Sequence, residues 1–183
     1  MNSIVFLVRG INVSGHNPLK MDKLLKLCET LGFTRVRTYL QSGNVVCGSR
    51  NADAEKHARA LGRRILRDCG FEVKVMARTA AALSAVVEAN PFAGLPSIEP
   101  KFMHATFLAG PPGASSLEGT DLPLAPGERA VLVGDMVYLY CPRGYGRSKI
   151  TNAFFEKKLG RCATTRNWKT VTALEGMARL KTN

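Results

Sequence analysis

The chain has 183 residues, 45% of them hydrophobic, a formal net charge of +12 and a pI near 9.9. That length accommodates one large or two small domains with a real core. The charge favours anionic partners such as nucleic acid, nucleotide phosphates or acidic metabolites, unless it is spread evenly over the surface. Five widely separated cysteines with no CxxC or metal-like spacing argue against a disulfide framework and read as reduced thiols of a cytoplasmic protein. The N-terminal apolar run is too short for a membrane span or a secretory h-region, so neither membrane nor export is expected.

Ser3 to Val8 is apolar after its first residue, the pattern of a central strand. A polar loop follows from Gly10 to Pro18, with Asn12, Ser14, His16 and Asn17. Met21, Leu24, Leu25, Leu27, Cys28 and Leu31 then recur at helical spacing, and Gly32 ends the helix. Arg35 to Gln41 alternates as a strand, Ser42-Gly43 signals a tight turn, and Asn44 to Cys47 returns. A second helix opens at Asn51 or Asp53. It carries Ala58, Leu61, Ile65 and Leu66 on one side, Lys56, Arg59, Arg63, Arg64 and Arg67 on another, and closes at Gly70. Phe71 to Met76 alternates as a fourth strand.

This βαββαβ order is that of the split βαβ, or ferredoxin-like, unit, complete by about residue 77. The helical crossover makes the first and second strands parallel, with the third antiparallel between them. The end of the first strand, Arg9 to Asn12, is therefore expected on one sheet edge with the turn Gln41 to Asn44.

In the second half, Thr79 caps a small-residue helix over 80–89, Asn90-Pro91 stops it, and 94–100 connects. Phe102 to Leu108 is a strand, and 110–127 a loop rich in Gly and Pro. Ala130 to Val133 and Met136 to Tyr140 form a hairpin about Gly134-Asp135. A glycine-basic segment, Pro142 to Lys149, leads to a helix with Ile150, Phe154, Phe155 and Leu159. A short strand from Cys162 to Thr164 and a last helix from Asn167 complete the chain. The expected fold is α+β, two ferredoxin-like subdomains with mainly antiparallel sheets. They occupy 1–77 and 101–183, the second with its first helix degraded, joined by a helix and linker at 78–100.

RGINVSG at 9–15, Lys20-Met21, TYLQSGNVV at 38–46, YLYCPRGYGRSK at 138–149 and TTRNWKTV at 164–171 together resemble the bacterial domain of unknown function 1697 family. The resemblance spans nearly the whole chain. It implies a two-part α+β fold in a cytoplasmic bacterial protein and supplies no established activity or catalytic residue.

Four groups of residues are candidates for function. The first is the RGIN loop with the QSGN turn. Glycines there expose backbone N–H groups, Arg9 suits a phosphate or carboxylate, Lys20 stands at a helix start, and Asn12, Gln41, Ser42 and Asn44 offer polar edges. The same residue types also satisfy turn geometry alone. The second is Arg143 to Lys149, where Arg147, Lys149 and Tyr145 suit a phosphate and a stacked base; the spacing is neither a P-loop nor a dinucleotide fingerprint. The third is Arg166 with Asn167, at the start of the last helix, which would complete the first site from the second half. The fourth is the basic side of the second helix, a phosphate-neutralising face or simply a solvated one. None of the three histidines sits in a metal-binding pattern and no cofactor signature is present, so no metal and no cofactor are expected. The leading expectation is a protein that binds an anionic ligand, phosphate-bearing or nucleic acid, at the RGIN/QSGN edge. A small-molecule enzyme in the same cleft, with Arg9 as electrostatic stabiliser and Ser42 or His16 in proton or nucleophile roles, is the alternative. A structural or interaction module is the third reading.

Overall fold

The computed structural model describes residues 1–13, 15–113, 117 and 121–179; Ser14 of the polar loop and parts of the Gly/Pro-rich loop lie outside them. The described chain divides into two compact units, residues 1–85 with 173–183, and residues 86–172.

In the first unit, β1 (Asn2–Val8) is central because Ile4 to Val8 are apolar without interruption, and all five are buried. It pairs antiparallel with β3 (Asn44–Ser49) on one side and with β4 (Val75–Thr79) on the other. β2 (Thr34–Tyr39) pairs beyond β3, so the order is β2-β3-β1-β4. Two helices cover one face of this sheet, α1 (Met21–Thr30) and α2 (Ala54–Cys69). The core between them holds Ile4, Phe6, Val8, Leu24, Leu27, Val45, Leu61 and Ile65. Asp53 caps α2 by accepting from the Lys56 N–H, and Gly70, at φ 80°, ends it.

Two strands differ from the sequence expectation. β2 stops at Tyr39 because Leu40 turns left-handed, at φ 57°, which places Gln41 in the turn. The fourth strand starts at Val75, not Phe71, and runs on to Thr79; Phe71 instead packs against the core on the approach to it. Alternation alone does not fix where pairing begins.

The second unit contains β5 (Met103–Leu108), β6 (Arg129–Val133), β7 (Met136–Tyr140) and β8 (Ala163–Asn167), in the order β6-β7-β5-β8 and antiparallel throughout. α3 (Ala80–Glu88) follows β4, α4 (Asn152–Leu159) precedes β8, and α5 (Trp168–Arg179) follows it. β8 is longer than the expected Cys162 to Thr164 and ends on Asn167, which caps α5.

The two sheets share strand order and, in the pairings of their central strands β1 and β5, register. Ile4 faces Cys47 and Thr79, as His104 faces Leu139 and Asn167; Val8 faces Val75, as Leu108 faces Ala163. Even the bonds past the first strand repeat. The Val8 N–H donates to Gly43 O at 2.8 Å and the Arg9 N–H to Lys74 O at 2.9 Å. The Leu108 N–H donates to Asp135 O at 2.9 Å and the Ala109 N–H to Cys162 O at 2.9 Å. One backbone plan has been used twice, with side chains too different for the sequence to display it.

Candidate functional site

Asn12 fastens the loop of the first unit to its surroundings. Its φ of 55° is left-handed, a conformation Asn adopts more readily than most residues. Its Nδ2 donates to Leu19 O and to Gln41 O, both at 2.9 Å, while its Oδ1 accepts from the Leu19 N–H at 2.8 Å. Both amide hydrogens are thus spent on backbone carbonyls. Asn17 Nδ2 winds the loop further by donating to Gly10 O at 3.0 Å. The end of β1, the start of α1 and the 40–43 turn come together as a result. A Cβ on Gly43, at φ 74°, would stand 2.8 Å from both Ile11 Cδ1 and Val8 Cβ, so the approach requires glycine. Asn44 is fully buried, and its Nδ2 donates to Tyr39 O at 3.0 Å and Ser42 Oγ at 2.9 Å.

Of the residues anticipated at this edge, Asn12 and Asn44 have their amides engaged internally, Arg9 is half-buried, and Lys20, Gln41 and Ser42 are exposed. Among the described residues, the side chains of Lys20 and Gln41 make no hydrogen bond or ion pair. Val13 and Leu40, 58% and 57% exposed, add an apolar rim.

The start of α1 is distinctive. Each of the other four α-helices among the described residues opens with a side-chain acceptor. Asp53 accepts from the Lys56 N–H at 2.9 Å, Thr79 from Ala82 at 3.1 Å, Thr151 from Phe154 at 3.3 Å and Asn167 from Lys169 at 2.9 Å. α1 has Lys20 at this position, with no side-chain cap, and Asp22 as the acid in its first turn. Uncapped N–H groups behind a lysine are chemically suited to an anionic acceptor.

In the second unit, Tyr145 joins the glycine-basic segment to the sheet. Its ring stacks on His104, centroids 5.1 Å apart, and its hydroxyl donates to Thr165 Oγ1 at 3.1 Å. The Thr165 hydroxyl donates to Asn152 Oδ1 at 2.7 Å and lies 2.7 Å from Thr106 Oγ1. His104 Nδ1 is 3.1 Å from Phe102 O, so this nitrogen carries the proton; Nε2 then accepts from Asn167 Nδ2 at 3.4 Å. Burial holds the His104 pKa below its usual range and raises that of Tyr145, so both are neutral near pH 7. Tyr145 and Asn167 fall in separate candidate segments of the sequence, and His104 in none. The structure brings them together, and Thr106, Asn152 and Thr165 join them. The available signal was His104 and Thr106 alternating within an apolar strand.

Arg147 and Lys149 are exposed, and their side chains make no bond among the described residues. Arg166 is 9% exposed, with Nη1 donating to Thr164 Oγ1 at 2.8 Å and Thr165 O at 3.0 Å. Burial lowers its pKa to about 10, which leaves it charged at neutral pH. Asn167, besides capping α5, donates to Lys101 O at 3.0 Å. On α2, Arg59 pairs with Glu55 at 3.0 Å, and Arg67 and Arg64 both bond Asp68, holding its carboxyl below the usual range. Such surface pairs add little stability. A groove of about 260 Å³ beside this helix is lined by Arg59, Gly62, Arg63, Leu66 and Lys74. Among the described residues, no group of three His, Cys, Asp or Glu side chains is placed to hold a metal, and no helix is long and apolar enough to cross a membrane.

These features define a two-unit α+β protein with polar loop clusters at the ends of its sheets. The chain belongs to the family described as protein of unknown function (DUF1697), whose profile matches residues 1–138. The glycine-basic loop and the Thr164–Val171 block lie beyond that range. No curated protein matches the chain. The fold is similar to that of the conserved bacterial protein SP0830 from Streptococcus pneumoniae, at 21% identity, a TM-score of 0.70 and coverage of 97% of this chain and 99% of the other.

Proposed function

We propose that the protein is a cytoplasmic anion-binding protein, built from two ferredoxin-like units, that takes a phosphate-bearing ligand at the RGIN/QSGN edge of the first. The uncapped start of α1 behind Lys20 carries this reading, because an anion there completes a helix end that every other described α-helix completes with its own side chain. Lys20, Gln41, Ser42 and Arg9 supply the ligand-facing groups, and Asn12 and Asn44 hold those groups in register. The free thiols of all five cysteines support the compartment. The strand order and element order support the ferredoxin-like assignment. The internal use of Asn12 and Asn44 favours a second reading, in which the motif only ties loop to turn.

Isothermal titration calorimetry with ATP separates them. The first reading expects saturable binding that weakens steeply with salt and falls about tenfold in Lys20→Ala, the loss of one charge-assisted contact. Absence of binding, or a Lys20→Ala protein that binds as the parent does, leaves the tying role alone.

A further inference from the structure

The shared register allows each unit to serve as a control for the other. In the first unit, the positions on β1 and β4 beneath α2 are Ile4, Phe6 and Ala77, and they pack in the core with Leu61 and Ile65. The matching positions in the second unit are His104, Thr106 and Thr165. The fold itself therefore does not require polar groups there. Replacing Ile and Phe with His and Thr gives up buried apolar area, and the hydroxyls and ring nitrogens must find hydrogen bonds.

The covering element has changed at the same end. α2 has 16 residues and ends at Gly70; α4 has 8 and ends at Gly160. Aligned on these glycines, the segment from Gly144 to Thr151 occupies the stretch of chain that forms the first turns of α2, Ala54 to Leu61. A helix has given way to a glycine-basic loop, and apolar floor positions have given way to polar ones. His104, Tyr145, Asn152, Thr165 and Asn167 are all half-buried, so solvent reaches the cluster. Arg143 and Arg147 stand two residues either side of Tyr145, and with Lys149 they are exposed and make no side-chain bond among the described residues.

We propose that this end of the second sheet is a second binding site, separate from the RGIN/QSGN edge, for a phosphate monoester on a hydroxyl-bearing body such as a nucleoside monophosphate or a sugar phosphate. Arg143, Arg147 and Lys149 take the phosphate. On the neutral floor the Asn152 amide, whose Nδ2 makes no bond among the described residues, meets the hydroxyl-bearing part, and His104, Thr165 and Asn167 hold that floor in place through the bonds given above. Tyr145 is the positioning residue, because its stack on His104 and its bond to Thr165 hold the loop over the floor. A bare anion would need the cations and not the floor, so the floor gives the ligand its class.

Calorimetry of the full chain with adenosine monophosphate, ribose 5-phosphate and inorganic phosphate tests this. Adenosine monophosphate, ribose 5-phosphate or both bind saturably, and inorganic phosphate binds at least tenfold more weakly. Arg147→Ala, on the exposed loop, weakens binding about tenfold. Thr165→Val weakens it while Thr165→Ser retains it, and the Arg147-dependent binding persists in a Lys20→Ala background, which keeps this site distinct from the first. Inorganic phosphate binding as tightly as the esters, Arg147→Ala binding as the parent does, or loss of binding in Lys20→Ala would each overturn the proposal.

Discussion

Replacing Asn12 isolates the fastening of the first unit. Asn12→Gly keeps the left-handed backbone at no steric cost and removes three side-chain bonds, two to Leu19 and one to Gln41. Each bond contributes about 0.5–1.5 kcal/mol net, and the exposure of Asn12 favours the lower half of that range, so the loss is about 1.5–3 kcal/mol. Asn12→Ala loses the same bonds and adds about 1–2 kcal/mol for a Cβ at positive φ. Urea unfolding monitored by far-UV circular dichroism reads both. The expected ranking is parent, then Asn12→Gly, then Asn12→Ala, each step outside error. If Asn12→Gly lies within about 0.5 kcal/mol of the parent, the loop and turn are not held by this side chain. If Ala equals Gly, the left-handed backbone at residue 12 is wrong.

Other expectations follow from single features. Gly43→Ala forces a Cβ against Ile11 and Val8 at positive φ and is expected to cost at least about 2 kcal/mol, seen as a lowered unfolding midpoint. His104 has a folded-state pKa below its usual 6.5, because burial disfavours its charged form. The unfolded chain therefore binds the proton first, and stability falls as pH drops from about 6.5 towards the folded-state pKa, then levels. His104→Gln removes that slope, which melting temperatures across pH would show. Burial pushes the Cys47 thiol up to about 12 and Cys28 higher still, so both resist alkylation in the native state; Cys69 and Cys162, half-buried, label first by mass spectrometry.

How far the sequence reached depended on what each residue's signal was about. The central strand was legible because Ile4 to Val8 leave no polar break, and the βαββαβ order because Gly32, Gly70 and Asp53 mark helix ends by local chemistry. The meeting of Asn12 with Gln41 followed from that order. What the side chains do there did not follow, since Asn at a turn and Asn at a ligand look identical until its hydrogen-bond partners are placed. Strand limits at Leu40 and Val75 depended on pairing with distant residues. The His104–Tyr145–Thr165 cluster joins three segments far apart in sequence, and the register shared by the two units becomes visible only when strands are paired. Arg166 reads in sequence as an anion contact at the start of the last helix, and charge in sequence carries no sign of its burial on β8.

An amide chemical-shift titration of the full chain with ATP addresses the central claim most directly. Ligand at the proposed edge shifts the amides of Lys20 to Lys23, Gln41 and Ser42 saturably, with Asn12 following, and leaves the α2 surface unmoved. No saturable shift at the start of α1, with or without movement elsewhere, contradicts it.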